Sequence, residues 1–194
     1  MSKIPAHILV SLGRGSMIDN FFQLATSSAI TEQLRQFALE QDNLDQYTVP
    51  ISSQSRKYIL QTQVPKTLLS NCPVLSKLLD NFTWFSALIF KMDPFSLYDW
   101  HVDSKDQAPA IPGKTFSINL LLQNQRSSLL VANESPDTRT RFTEFQYEPN
   151  RLYLLRSNIP HAIVNFEQTR YLLSIRVTSP TYEQAVDYCQ SNNL

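Results

Sequence analysis

The punctuation of the second half of this chain most constrains its fold. From residue 85 onward, short apolar runs alternate with turn-forming residues: Pro94, Pro112-Gly113, Pro136-Asp137, Pro149-Asn150 and Asn158. The runs cover residues 85–92, 115–123, 128–131, 141–146, 151–155, 162–165 and 171–177. They are rich in aromatic and branched aliphatic residues and of strand length. A doubly wound parallel sheet needs a long crossover, usually a helix, between consecutive strands; no helical pattern separates these. The pattern predicts a mainly β fold, an antiparallel sandwich or barrel.

The first half reads as a helical flank with short strands. Residues 17–25 carry Ile18, Phe21, Phe22 and Leu24 in a short amphipathic helical pattern. Thr31 is placed to cap a helix through Leu39, with Leu34, Phe37 and Ala38 on one face. Residues 41–47 are polar and read as a loop, and residues 57–61 as a short strand. Pro65 opens one helical turn, and residues 73–79 form another with Leu75, Leu78 and Leu79 inward. Near the C-terminus, residues 183–189 read as a short helix capped from Thr181. No linker or internal repeat divides the chain. The expectation is one domain over residues 1–194: a flank at 1–84, a β core at 85–178, and a tail with a short helix at 179–194.

A length of 194 residues with 42% apolar content supports a core without metal or disulfide staples. The two cysteines, Cys72 and Cys189, are far apart, which argues for free thiols rather than a disulfide scaffold. No leader-like or membrane-length apolar run is visible, so a soluble, cytoplasmic protein with no membrane partner is expected. The formal net charge is 0, so no overall basic field draws the chain to nucleic acid. A local basic patch stays open.

The chemistry concentrates in the β-rich half. His101 and Asp103 flank Val102, and on extended backbone residues two apart share a face. Imidazole and carboxylate can then reach one metal ion. His161 follows 60 residues after His101. Two histidines and one carboxylate on one face of an octahedral ion leave three positions open, the arrangement of mononuclear non-haem Fe(II) oxygenases. Taken singly, each element has a plainer reading. A His-x-Asp triplet arises by chance in surface turns, and a lone histidine is commonly a satisfied polar residue.

Basic residues follow at strand spacing. Arg170, Leu172, Ser174 and Arg176 share one face; Tyr171, Leu173, Ile175 and Val177 share the other. A buried guanidinium needs an anion. A protein acid can supply it, and so can a dicarboxylate ligand, which guanidinium grips in a bidentate fork. Ser174 adds a hydroxyl beside it.

Together, His101-x-Asp103, His161 and Arg170 resemble the iron(II)- and 2-oxoglutarate-dependent dioxygenases. The stretch HAIVNFEQTRYLLSIRV, residues 161–177, is similar to prolyl-hydroxylase-like members, in which Arg follows the distal His by nine. The resemblance spans about residues 85–177. It implies a double-stranded β-helix, a cupin-like jelly roll of eight core strands flanked by N-terminal helices. The His-x-Asp/Glu pair belongs near the second strand, the distal His near the seventh, and the basic residue on the eighth.

By the same resemblance, His101, Asp103 and His161 bind Fe(II) and are the catalytic centre. Arg170 pairs with the C5 carboxylate of 2-oxoglutarate, whose other end chelates the metal. Dioxygen is the second cosubstrate, and ascorbate serves as a reductant. The activity implied is hydroxylation of an unactivated C–H bond in a small molecule, such as an amino acid, or in a protein side chain. It is coupled to decarboxylation of 2-oxoglutarate to succinate and carbon dioxide. Arg176, six residues after Arg170, resembles the second arginine of the nucleic-acid-demethylating branch, though that branch's substrate is not adopted. Ser117, Asn119 and Tyr98 are candidates for contact with the cosubstrate or with the metal's ligands, and ordinary strand chemistry accounts for each almost as well.

The loop at residues 104–114, with Lys105, Asp106 and Lys114, reads either as substrate-facing or as solvated. Residues 133–141 form a second polar loop. Phe95 and Trp100 read as pocket walls or, more simply, as core. Phe21 and Phe22 read as a dimer face or as packed on the β body. Two other functions stay open: a cupin-type metal protein without 2-oxoglutarate chemistry, and a non-catalytic jelly-roll binding module.

Overall fold

The computed structural model describes residues 21–25, 28–43, 46, 59–101, 116–123, 127–132, 142–157 and 159–194. Asp103 and the loops at 104–114 and 133–141 lie outside them.

In chain order the elements are β1 (Phe21–Ala25), α1 (Ser28–Asn43), β2 (Ile59–Gln63), α2 (Lys66–Ser70), α3 (Pro73–Asn81) and β3 (Thr83–Met92). There follow β4 (Leu97–His101), β5 (Phe116–Leu121), β6 (Ser127–Ala132), β7 (Phe142–Gln146), β8 (Arg151–Leu155), β9 (His161–Asn165), β10 (Arg170–Ser179) and α4 (Tyr182–Ser191). They build a six-stranded sheet in the order β1-β8-β5-β10-β3-β2 and a four-stranded sheet in the order β4-β9-β6-β7. All pairings are antiparallel. Strands β3 to β10 cross between the sheets at every step except the β6–β7 hairpin, as in a jelly roll, and β1 and β2 extend the larger sheet on its two edges.

The larger sheet is buried on both faces, and strand parity sorts them. On β10 the outward set is Tyr171, Leu173, Ile175 and Val177. Leu173 faces Leu120 and Ile175 faces Ile118 across β5, which in turn face Leu152 and Leu154 of β8. These side chains form one core with Leu34 and Ala38 of α1, Leu69 of α2, Leu75 and Leu78 of α3, and Ala185 and Cys189 of α4. Burying a Leu or Ile completely contributes about 2 kcal/mol, so the helical layer is an integral part of the fold. Cys72 and Cys189 are free thiols in this core.

Three expectations for the flank need correction. The helical pattern at residues 17–25 is a strand over its described part: β1 pairs with β8, sending Leu24 into the helical core and Phe21 into the sandwich, stacked on Phe145 at 4.3 Å. Five residues cannot distinguish a period of 2 from 3.6, and an available sheet edge decides. Phe21 and Phe22 accordingly pack on the β body. Thr31 is not a cap: α1 begins at Ser28 and Thr31 is buried within it, because Ile30, Leu34 and Ala38 make the inward stripe. Nor do residues 41–43 begin a loop. The last turn of α1 carries Asp42, which accepts hydrogen bonds from Lys91 and, at 2.6 Å, from Tyr171. That tertiary tie holds polar sequence in a helix. Helix α4 has the expected start, a capping box between Thr181 and Gln184.

Candidate metal and dicarboxylate site

The inner face of the larger sheet is built rung by rung. Ser174 lies opposite Asn119, which lies opposite Tyr153; Arg176 lies opposite Ser117, which lies opposite Leu155. On its other side Arg176 faces Ser86 of β3. Directly opposed residues project to the same side. Ser117, Asn119, Ser174 and Arg176 therefore share the inner face with Arg170, as strand parity predicts.

Arg170 opens β10 and is 2% exposed. Its Nε and Nη2 are buried with no hydrogen-bond partner among the described residues. The guanidinium carbon lies 5.5 Å from the centre of the Tyr147 ring, a cation–π contact. Burial lowers its pKa from 12.5 to about 10. Asn119 donates to the Tyr147 hydroxyl at 2.9 Å, while its Oδ1 is buried without a partner. The hydroxyls of Ser117 and Ser86 are likewise buried with no partner among the described residues. Native interiors rarely leave so many polar atoms unmet on one face. The guanidinium and hydroxyl donors among them fit a small polar anion with at least one carboxylate, while Asn119 Oδ1 can only accept. Around them Leu121, Tyr147, Tyr153, Leu155, Ile159 and Leu172 form an apolar wall that Ile163 of β9 joins from the opposite sheet.

The histidines sit on that opposite sheet. His101 ends β4 and His161 opens β9, and they are direct partners in the ladder. Their ring centroids are 4.2 Å apart. His161 is 3% exposed and shares its strand face with Ile163, so the histidines and Arg170 look into one interior from its two walls.

Each ring is held the same way. Nδ1 of His101 lies 2.7 Å from the carbonyl oxygen of Asp99, and Nδ1 of His161 lies 2.9 Å from that of Ile159. A carbonyl only accepts, so each Nδ1 carries the proton and donates. The lone pair is then on Nε2 in both, the tautomer that a metal ligand needs. Two Nε2 lone pairs from adjacent rings are a sound donor set for a first-row divalent metal. Among the described residues, no group of three or more His, Cys, Asp or Glu stands together.

A β-bulge aims His101. Tyr98 faces Ile163 and His101 faces His161, so three steps along β4 match two along β9. In a regular strand Tyr98 and His101 would point to opposite sides; the extra residue turns them to the same side, and their rings stack at 3.8 Å. Asp99 stitches the bulge twice: its carbonyl accepts a hydrogen bond from His101 Nδ1, and its Oδ1 accepts from the Trp100 amide at 2.7 Å.

Sequence reading missed β4, its bulge, Tyr147 and Ser86. Parity along residues 85–92 places Ser86 with Leu88 and Phe90, so that signal was present. Tyr147 lies beyond the end of β7 and gave none. The assignment of Phe95 and Trp100 to the core is also corrected: they are 79% and 41% exposed. The bulge rotates Asp99 and Trp100 outward, and Phe95 sits on a turn with φ 53°.

No protein-family model matches the chain, and no curated protein matches its sequence. Solved structures do match its fold. A prolyl-4-hydroxylase of Pseudomonas putida aligns with a TM-score of 0.62 at 14% identity, over 83% of this chain and 93% of that one. A prolyl hydroxylase of Trichoplax adhaerens, solved with a hypoxia inducible factor oxygen degradation domain peptide, aligns at 0.61 and 15% identity over 88% and 87%. The non-heme alpha ketoglutarate dependent epimerase SnoN from nogalamycin biosynthesis aligns at 0.63 and 11% identity over 83% and 77%.

The chain therefore has the double-stranded β-helix, or jelly-roll, fold that these solved structures share. Counting β3 as the first core strand, His101 is on the second, His161 on the seventh and Arg170 on the eighth. No helix among the described residues is long and apolar enough to cross a membrane.

Proposed function

We propose that this protein is an Fe(II)- and 2-oxoglutarate-dependent oxygenase that hydroxylates a C–H bond of a small molecule or a protein side chain. One observation carries the reading. A pair of histidines anchored through Nδ1 on one wall of the jelly roll faces the interior into which the other wall projects a buried, unmet arginine. Either feature alone has other uses; together they are the two ends of a metal-chelating dicarboxylate.

In this reading His101, His161 and Asp103 hold the iron, and Arg170 grips the far carboxylate of 2-oxoglutarate. Bound together, Fe(II) and 2-oxoglutarate activate dioxygen for C–H oxidation, with decarboxylation to succinate and carbon dioxide. The protein's part is placement and exclusion. The carbonyls of Asp99 and Ile159 keep both imidazoles in the ligating tautomer. Tyr98 braces the His101 ring. Asn119, Ser117 and Ser174 line the same face with polar atoms, and Arg176 extends that charge further along the strand. Leu121, Leu155, Leu172 and Ile163 keep water from the inner chamber, which strengthens the hold of Arg170 on an anion. A metal-binding jelly roll without 2-oxoglutarate would leave Arg170 with no anion among the described residues.

Anaerobic titration with Fe(II), with and without 2-oxoglutarate, tests the proposal. The wild type should develop the weak visible charge-transfer band of a chelated complex. Arg170→Ala should still take up iron but require at least tenfold more 2-oxoglutarate to reach the band. Absence of both metal uptake and the band in wild type would reduce the jelly roll to a scaffold.

A further inference from the structure

On the outer side of the histidine-bearing strand lies a feature that the chemistry above does not use. Phe95, Leu97, Trp100 and Phe166 are 79%, 53%, 41% and 36% exposed. They lie on the β3–β4 turn, on β4, and just beyond the end of β9. Monomeric proteins seldom leave neighbouring large apolar groups in water without a use for them.

This ridge is rigidly built. The Phe95 amide donates to the Phe166 carbonyl at 2.7 Å, joining the two turns that cross between the sheets. Asn165, 2% exposed, donates through Nδ2 to the carbonyls of Asp93 at 2.7 Å and Gln168 at 2.8 Å. One buried amide thus fixes both turns. Phe95 is held at φ 53°, a left-handed conformation that costs a non-glycine residue energy and is kept only where the surroundings impose it.

Charge selects the partner. Residues 93–101 and 164–169 contain Asp93, Asp99 and Glu167, all exposed, and no Lys or Arg. An acidic rim around aromatic and aliphatic side chains repels nucleic acid and anionic lipid and attracts cations. Strand β4 is an edge of its sheet, and its last residue is His101. A chain laid along the ridge is therefore led to the metal-binding end of the strand.

We infer that this ridge docks a polypeptide segment of alternating basic and apolar residues, and that such a segment carries the side chain to be oxidised. The inference rests on the oxygenase reading for its second half only. Docking itself needs neither iron nor 2-oxoglutarate.

Two labelled twelve-residue peptides, one alternating Lys with Leu and Phe, the other with Glu in place of Lys, test it by fluorescence anisotropy. The basic peptide should bind wild type, more weakly as salt rises, and the acidic one should not. The variant Phe95→Asn with Leu97→Ser should bind the basic peptide at least tenfold more weakly. Both sites are exposed, and Asn tolerates the left-handed backbone, so the fold survives; 2-oxoglutarate and iron binding should be unchanged and serve as the control. No binding, equal binding of both peptides, or binding unaffected by the double variant overturns the inference. So does a wild-type dimer in sedimentation that the double variant splits, which would make the ridge a contact between copies of this chain. If peptide binds but iron and 2-oxoglutarate do not, the oxygenase reading fails while the docking surface stands; the reverse result rejects the surface alone.

Discussion

Replacing Arg170 with Met should stabilise the protein when no ligand is present and abolish its stabilisation by 2-oxoglutarate. The argument starts from an unmatched charge. Arg170 is buried, its Nε and Nη2 find no acceptor among the described residues, and the face of the Tyr147 ring lies 5.5 Å from its guanidinium carbon. The drop in its pKa from 12.5 to about 10 corresponds to about 3 kcal/mol of folding energy lost to keeping the charge buried. The sign follows from the direction. The folded value lies below the unfolded one, so the penalty is complete at every pH below about 10 and is relieved only as pH rises past it. The cation–π contact returns about 1 kcal/mol of this. Met has similar length, no charge, and packs against Leu172 and Tyr147. The expected gain is therefore about 1–2 kcal/mol at neutral pH, read as a higher urea midpoint at unchanged slope. In wild type, 2-oxoglutarate at a hundred times its dissociation constant should restore about 2.7 kcal/mol; in Arg170→Met it should restore none. If the ligand-free variant instead loses 3 kcal/mol or more, Arg170 has a partner within the protein, and the case for an absent dicarboxylate collapses.

Tyr147→Phe keeps the ring beneath Arg170 but removes the hydroxyl that Asn119 donates to; isothermal titration should show 2-oxoglutarate binding weakened about three- to tenfold, roughly one hydrogen bond's worth, with iron uptake intact. Asp42→Asn cuts the tie from α1 to Lys91 and Tyr171 and should cost about 1–3 kcal/mol at neutral pH. Burial pushes the Asp42 carboxyl up, but its hydrogen bonds from Lys91 and Tyr171 outweigh this and leave it lowered. Its contribution is thus present above the ordinary carboxylate range and lost as pH falls through the folded value, so urea midpoints of wild type and variant should converge in acid. Thr181→Ala removes the capping-box oxygen of α4 and should lower stability by about 1 kcal/mol, without moving the affinity for 2-oxoglutarate.

What the sequence disclosed and what it withheld follow one physical division. Elements whose signal is local were legible. The strand at residues 151–155 was anticipated to the residue, and the capping of α4 by Thr181 was read from one side-chain type at one spacing. The two faces of β10 followed from parity alone, which is why Arg170, Ser174 and Arg176 could be grouped before any partner strand was known. Where a tertiary partner decides, the reading failed. Residues 21–25 are a strand because β8 offers an edge, and residues 41–43 are helical because Lys91 and Tyr171, some fifty and one hundred and thirty positions away, hold Asp42.

The bulge in β4 is the most consequential case. Parity reasoning uses a strict period of 2, and a bulge is a single violation of it. Applied to residues 97–101, the strict period places Tyr98 and His101 on opposite sides. The structure stacks them on one side and sends Asp99 and Trp100 outward together. The same inserted residue therefore does two things. It delivers His101 to its partner His161 in the interior, and it adds Trp100 and a carboxylate to the exposed ridge. A regular β4 could keep His101 opposite His161 only by giving up Asp99 or Trp100. Deleting Trp100, which restores two steps against two and leaves Tyr98 and His101 on one side, should therefore weaken peptide docking while iron uptake persists, the same separation that Phe95→Asn with Leu97→Ser should produce.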